Sequence, residues 1–144
     1  MKFSIDEKSL RDLFSGFDKM LSKSGADVKR AIAATGIGIE SKAKTFVTQK
    51  CKGDLGILRS SIMANYNQSG FGVRVGTSKD YAPYVEFGTG KMVVVPAGLE
   101  SYAMQFKGQG IKEVNLPARP FLFPAYEIEA PKFIERLNKI YSNL

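Results

Sequence analysis

Leu10, Leu13, Phe14, Phe17, Met20 and Leu21 recur at i, i+3, i+4, i+7, i+10 and i+11, which places them on one face of an amphipathic helix. Ser4 or Asp6 is positioned to cap its start, and Gly25, preceded by Ser22 and Ser24, marks its end. Val28, Ile32, Ile39, Ala43 and Phe46 continue at helical spacing and predict a second helix from about Ala26 to Gln49. Gly36 and Gly38 each weaken that helix by about 1 kcal/mol. With Ala33 and Ala34 they predict a surface of small residues that another backbone can approach closely.

The period then changes to two. Ile62, Ala64 and Tyr66 alternate with Met63, Asn65 and Asn67. After Gln68-Ser69-Gly70, the residues Phe71, Val73 and Val75 alternate with Gly72, Arg74 and Gly76. Two alternating runs joined by a glycine-containing turn predict a β-hairpin. Met92–Val95 predicts a third strand and Ile111–Val114 a weaker fourth. Residues 98–106 between them predict a short helix, and Gly108-Gln109-Gly110 a loop. Helical spacing returns with Ile134, Leu137, Ile140, Tyr141 and Leu144. Pro124 suits a first-turn position, and Pro131 predicts a kink or the true start of this helix. The order helix, helix, strand, strand, strand, helix is an α+β pattern, with N-terminal helices and a C-terminal helix packed on a small antiparallel sheet. Such a sheet leaves open edges, which suits an assembling subunit.

The chain of 144 residues fits one domain. The N-terminal Met-Lys-Phe-Ser-Ile meets Asp6 and Glu7 before any apolar core develops, so no secretion signal is expected and the protein is expected to stay in a cytoplasm-like compartment. The apolar run at Met92–Val95 stops at Pro96, far short of the about 20 residues of a membrane span.

Candidate chemistry is thin. The sequence has no histidine and a single cysteine, Cys51. This removes the commonest general base and metal ligand, any intrachain disulfide and a Cys/His zinc site. The 14 acidic residues are scattered among 21 basic ones without an acidic cluster of metal-binding type. Ser60 or Ser61 with Lys42 or Lys44 as base is the remaining hydrolase arrangement, and no nucleophile elbow surrounds those serines. The net charge of +7 serves solubility or weak nucleic-acid contact by counterion release. No helix-turn-helix element accompanies it, so a small basic DNA-binding module is the weaker alternative.

Three segments say more. Asp54–Ile62 reads as a helix-to-strand connector carrying Arg59. Tyr81-Ala82-Pro83-Tyr84-Val85-Glu86-Phe87-Gly88-Thr89-Gly90 concentrates aromatic residues, either as a plug in the core or as a subunit contact. Pro117-Ala118-Arg119-Pro120-Phe121-Leu122-Phe123-Pro124-Ala125 is a stiff entry into the last helix. There Phe121 and Phe123 clamp the chain to the core, and Arg119 is held between prolines. Glu86 and Arg119 are candidates for an ion pair within or between subunits.

Together these segments resemble the small head–tail joining, or tail-completion, proteins of tailed phages, the family named after gene product ten of a lambdoid coliphage. Asp54, Gly56, Leu58, Ser61 and Ile62 match its first block. Tyr81, Ala82, Tyr84, Val85, Glu86, Phe87, Gly88 and Thr89 match the second, and Ala118, Arg119, Pro120, Phe121, Leu122, Pro124 and Ala125 the third. Leu55 stands where the family usually has threonine, and residues 92–116 are long for the family and read as an extra strand or loop arm. The resemblance implies a non-enzymatic virion protein, made in the bacterial cytoplasm and built into the neck as a ring subunit. Its implied partners are other neck, connector and tail proteins, with non-specific contact with DNA in the lumen, no membrane and no cofactor or metal. Connector stopper and tail terminator are the neighbouring roles. Arg59, Tyr81, Tyr84, Glu86, Phe87, Gly88, Arg119 and Phe121 are the candidate contact or motif residues.

Overall fold

The computed structural model describes residues 1–51, 56–90, 93–104 and 115–144. In chain order the elements are β1 (Lys2–Ile5), α1 (Glu7–Leu13), α2 (Phe17–Lys50), α3 (Gly56–Ser61), β2 (Met63–Tyr66), β3 (Val73–Gly76), α4 (Ala82–Phe87), α5 (Glu100–Met104) and α6 (Leu122–Ser142). The α+β class holds: long helices pack on a three-stranded antiparallel sheet of order β1-β3-β2.

The predicted hairpin forms as β2 and β3, but the third strand is not where the apolar run suggested. Val93–Val95 belongs to no strand, and Met92 and Ile111–Val114 lie outside the described residues. The third strand is β1, whose Lys-Phe-Ser-Ile alternation is the same period-two signal in four residues. Phe3 and Ile5 pair with Val75 and Val73, the two buried valines of β3, so the register puts every apolar β1 side chain on the core face.

The first predicted helix is broken earlier than its apolar face implied. Asp6 caps α1, its carboxylate accepting the Ser9 amide at 2.8 Å. The helix stops at Phe14, which is extended (φ −130°, ψ 113°). Gly16 then opens α2, and a side chain there would collide with the Tyr141 ring. The predicted stop at Gly25 is instead a kink at Ser24 (φ −136°, ψ 32°), through which α2 continues. Likewise α6 begins at Leu122 and runs through Pro131, so that proline does not mark its start.

The small residues of α2 do admit neighbours, though these are side chains rather than a backbone. A Cβ at Gly36 would lie 2.7 Å from Val73 and 2.8 Å from the Tyr66 hydroxyl, and one at Gly38 would lie 2.7 Å from the Glu129 carboxyl. Glu129 of α6 is buried in the α2–α6 seam, between Ala125 and Phe133 of the same buried face. It meets Lys42 at 2.9 Å and Lys132 at 3.0 Å. Arg136 lies 3.9 Å from its other oxygen and bonds Thr35 Oγ1 at 2.9 Å. A buried carboxylate is tolerated only when paired in this way.

Burial tends to raise the Glu129 carboxyl, but the hydrogen bonds and charges of Lys42 and Lys132 outweigh it and hold it below the ordinary carboxylate value. A carboxyl that is lower in the folded state contributes stability that is present above its unfolded value and lost as pH falls through the folded one. Glu129→Gln is therefore expected to lower the melting temperature at neutral pH, with the gap to wild type closing between about pH 5 and pH 2. A gap that stays constant over that range in thermal denaturation would show that the seam does not depend on this charge.

Candidate functional site

The second and third sequence blocks meet. Gly88 ends α4 at φ 77°, a conformation glycine adopts without strain, and its amide donates to Tyr84 O at 3.0 Å. Just beyond, the Thr89 amide donates to Leu116 O and the Leu116 amide to Thr89 Oγ1, both at 2.9 Å. The Arg119 amide donates to Val85 O at 2.8 Å. The approach to α6 is thereby laced along the side and end of α4.

Glu86 completes this join. Its side chain is buried at 1% exposure, yet it has no shortage of partners. The amides of Phe121 and Leu122 donate to Oε2 at 2.8 and 3.0 Å, and that of Phe123 donates to Oε1 at 2.9 Å. These are amides at the N-terminus of α6, which have no partner within the helix, and the carboxylate also faces the positive end of the helix dipole. Burial pushes the Glu86 carboxyl above the ordinary range, against the pull of those three amides and of the Lys50 charge. Lys50 itself closes the far end of α2 on this unit by donating to Pro120 O at 2.8 Å.

This arrangement replaces the anticipated Glu86–Arg119 ion pair within the subunit. No such pair is present among the described residues. Both carboxylate oxygens of Glu86 are occupied by backbone amides, and Arg119 is held through its main chain. Phe87 and Phe121 are buried, whereas Tyr81 and Tyr84 stand 39% and 37% exposed at the start of α4. Arg59 is not part of the cluster. It lies exposed on α3 beside Ser41, Lys44 and Thr48 of α2, on the wall of a shallow groove. Asp54 and Leu55 of the first block lie outside the described residues.

Sequence reasoning missed the buried carboxylates. Glu86 was noticed for its place in a block and not for its burial. Glu129 left a readable trace: an acidic residue one turn from Ala125 and Phe133 on an apolar face, opposite a helix that carries Gly36 and Gly38.

The remaining chemistry is committed elsewhere. Ser61 Oγ donates to Leu58 O at 2.7 Å and lies 2.6 Å from Thr77 Oγ1, and Ser60 Oγ donates to Ile57 O at 3.1 Å. Lys42 bonds Glu129, and Lys44 bonds Glu40 at 2.5 Å, so neither lysine serves a serine. Cys51 is buried, and burial pushes its thiol up, away from the nucleophilic thiolate. Among the described residues no three acidic or thiol side chains converge on a point, and no helix is long and apolar enough to cross a membrane.

What the fold and this site define is a small structural domain in which a locked α4–α6 joint carries a pair of surface tyrosines. The chain belongs to the phage family described as "Bacteriophage HK97-gp10, putative tail-component", whose family model matches residues 11–88. The match runs from α1 to the glycine that ends α4 and so includes Glu86, while the amides that Glu86 holds lie beyond it. No curated protein and no solved structure matches the chain. The protein is thus a bacteriophage structural protein of the tail-component class.

Two substitutions separate the joint from ordinary core packing. Glu86→Ala leaves three amides without their acceptor and is expected to cost about 2–4 kcal/mol. Phe121→Ala empties a fully buried site and is expected to cost about 3–5 kcal/mol. Amide exchange at residues 121–123 should speed up locally in Glu86→Ala under conditions where the α2 core stays protected. Urea denaturation checks the magnitudes. A loss below about 1 kcal/mol in either variant would contradict the corresponding contact.

Proposed function

We propose that this protein is a ring subunit of the head–tail junction, a tail-completion or neck component made in the bacterial cytoplasm and incorporated into the virion. The observation that carries this reading is the joint itself. A domain needing only a stable core would bury its aromatic residues, as it does Phe87 and Phe121. Here the same rigid segment leaves Tyr81 and Tyr84 on the surface. Aromatic side chains held in place before binding lose little entropy on docking and are favoured at the centres of protein interfaces. The family to which the chain belongs supplies the context of a phage tail, in which the partners are further copies of this chain and neighbouring connector and tail proteins.

The role is structural rather than enzymatic: the family context is a tail component, and Ser60, Ser61, Lys42, Lys44 and Cys51 are tied into the fold. A dedicated DNA-binding role is the weaker reading despite the charge of +7. Among the described residues, seven basic side chains (Arg11, Arg30, Lys42, Lys44, Lys132, Arg136 and Lys139) lie in ion pairs with carboxylates, which reduces what they offer to phosphates. Passing DNA meets at most a diffuse positive surface.

Disrupting the gene in a phage that encodes this chain is expected to leave filled heads and separate tails of normal length in the lysate, as seen by electron microscopy. Wild-type protein supplied in trans restores joined particles. Tyr81→Ala/Tyr84→Ala does not, although its folding stability stays within about 1 kcal/mol of wild type. Tails of uncontrolled length would assign a terminator role, and joined infectious particles in the disrupted lysate would overturn the proposal.

A further inference from the structure

The two edges of the sheet are treated differently. Along β2 and β3 the register pairs Asn65 with Arg74 and Met63 with Gly76, and the Asn67 amide bonds Gly72 O at 3.1 Å. In an antiparallel ladder, hydrogen-bonded and non-bonded pairs alternate. The main-chain groups of Ala64 therefore point away from β3, and the Ala64 amide is taken at 2.8 Å by Glu40 of α2. A helix side chain thus covers this edge.

The same alternation applies across the sheet. Val73 and Val75 turn their main-chain groups toward β1, where they face Ile5 and Phe3. Lys2 and Ser4 must then point theirs outward. Among the described residues nothing accepts from or donates to those outward groups. An open edge of this kind is a template for another strand. Beside it an apolar groove of about 310 Å³ opens between α1 and α6, bordered by Ile5, Leu13, Tyr126 and Ile134.

The chain also carries an unused strand former. Val93-Val94-Val95 is its densest β-branched run, a composition favoured in sheets, but it belongs to no element. The Val94 amide is tied to Phe87 O at 2.8 Å. Once the segment is extended as a strand, this bond leaves the main-chain groups of Val93 and Val95 on the other side, where among the described residues nothing pairs with them. The Val94 side chain is left 64% exposed, and Pro96 limits the run.

We propose that Val93–Val95 of one copy adds as an antiparallel strand to the β1 edge of a second copy. Main-chain groups of Val93 and Val95 then meet those of Lys2 and Ser4. Pairing of these residues places the side chains of Val93 and Val95 on the outer face with Lys2 and Ser4. Val94 is thereby turned to the inner face, over the apolar groove. The occupant is a second copy because this chain itself holds both halves, an unpaired edge and an unpaired strand former. The halves are different surfaces, so the contact is heterologous and propagates from copy to copy, as a ring requires. Only a few residues engage, so each contact is weak alone and is reinforced by closure of the ring. The proposal deepens the ring reading above, but pairing between copies is measurable without any head or tail present.

Disulfide trapping between concentrated full-length proteins in a Cys51→Ala background tests it. Ser4→Cys is mixed in turn with Val93→Cys, Val94→Cys and Val95→Cys. Directly paired residues in an antiparallel ladder bring Cα atoms to about 5.5 Å, inside the range a disulfide needs. Cross-linking is expected at Val93 or Val95 at a yield about tenfold above Val94, because a side chain on the opposite face cannot meet the geometry. Random collision would favour Val94, which is well exposed. Adding Val94→Asp to the productive Val95→Cys or Val93→Cys protein should abolish the excess, by placing a charge over the groove. Equal yields at all three positions, the highest yield at Val94, or no cross-link would overturn the proposal. A cross-link in these proteins combined with joined particles in the gene-disrupted lysate would retain the strand exchange and reject the neck role.

Discussion

Three consecutive amides at the head of α6 would be left without partners if the helix simply began there, and the carboxylate of Glu86 takes all three. Most of what is distinctive in the structure follows from that contact. It sets where α6 starts and therefore which residues of the helix face α2. It also fixes α4 to a long helix that is itself anchored in the core, so that a six-residue helix becomes part of a rigid body. A helix that short has little stability of its own in water. The backbone bonds at Arg119 and Thr89 and the Lys50–Pro120 contact extend the join in both directions, and the orientation of Tyr81 and Tyr84 depends on it.

A second carboxylate performs the related task of holding long helices together. Glu129 fills the space left by Gly38 and draws Lys42, Lys132 and Arg136 around itself. Glu40 closes the β2 edge of the sheet while bonded to Lys44. Three acidic residues thus fasten the helix entry, the helix seam and one sheet edge. In a chain with 21 basic and 14 acidic residues, the acidic side chains carry much of the polar organisation of the interior, and many basic ones serve as their partners. Among the described residues the β1 edge has no such guard, and the proposed strand addition rests on that asymmetry.

The sequence was legible where a residue pattern repeats. Hairpin strands, the long second helix and the last helix were all apparent from periodicity, and the α+β class followed from their order. What escaped it has physical causes. The four residues of β1 are too few for alternation to stand out, and they become a strand only because β3 offers Val73 and Val75 as partners. Val93–Val95 has the propensity of a strand without a partner in its own sheet. The first helix gives way at Phe14, and Gly16 opens the next one where Tyr141, far away in sequence, occupies the space a side chain would need. At the candidate site, the blocks around Tyr81–Gly90 and Ala118–Ala125 stand out in the sequence and lie against each other in the fold, with Phe87 and Phe121 buried. Within the subunit, charge alone suggests Arg119 as the partner of Glu86, whereas the carboxylate is satisfied by main-chain donors invisible in a list of side chains.

The chain is a member of a phage tail-component family. The α4–α6 joint, the aromatic pair on its surface and the strand edge open among the described residues together support the proposed role as a ring subunit at the head–tail junction. Cryo-electron microscopy of the intact virion neck tests that claim most directly. The account predicts a closed ring of this chain between connector and tail tube, with Tyr81 and Tyr84 buried in a protein contact and Val93–Val95 beside β1 of the adjacent copy. Absence of the chain from the neck, or its presence there with both tyrosines facing solvent, would contradict it.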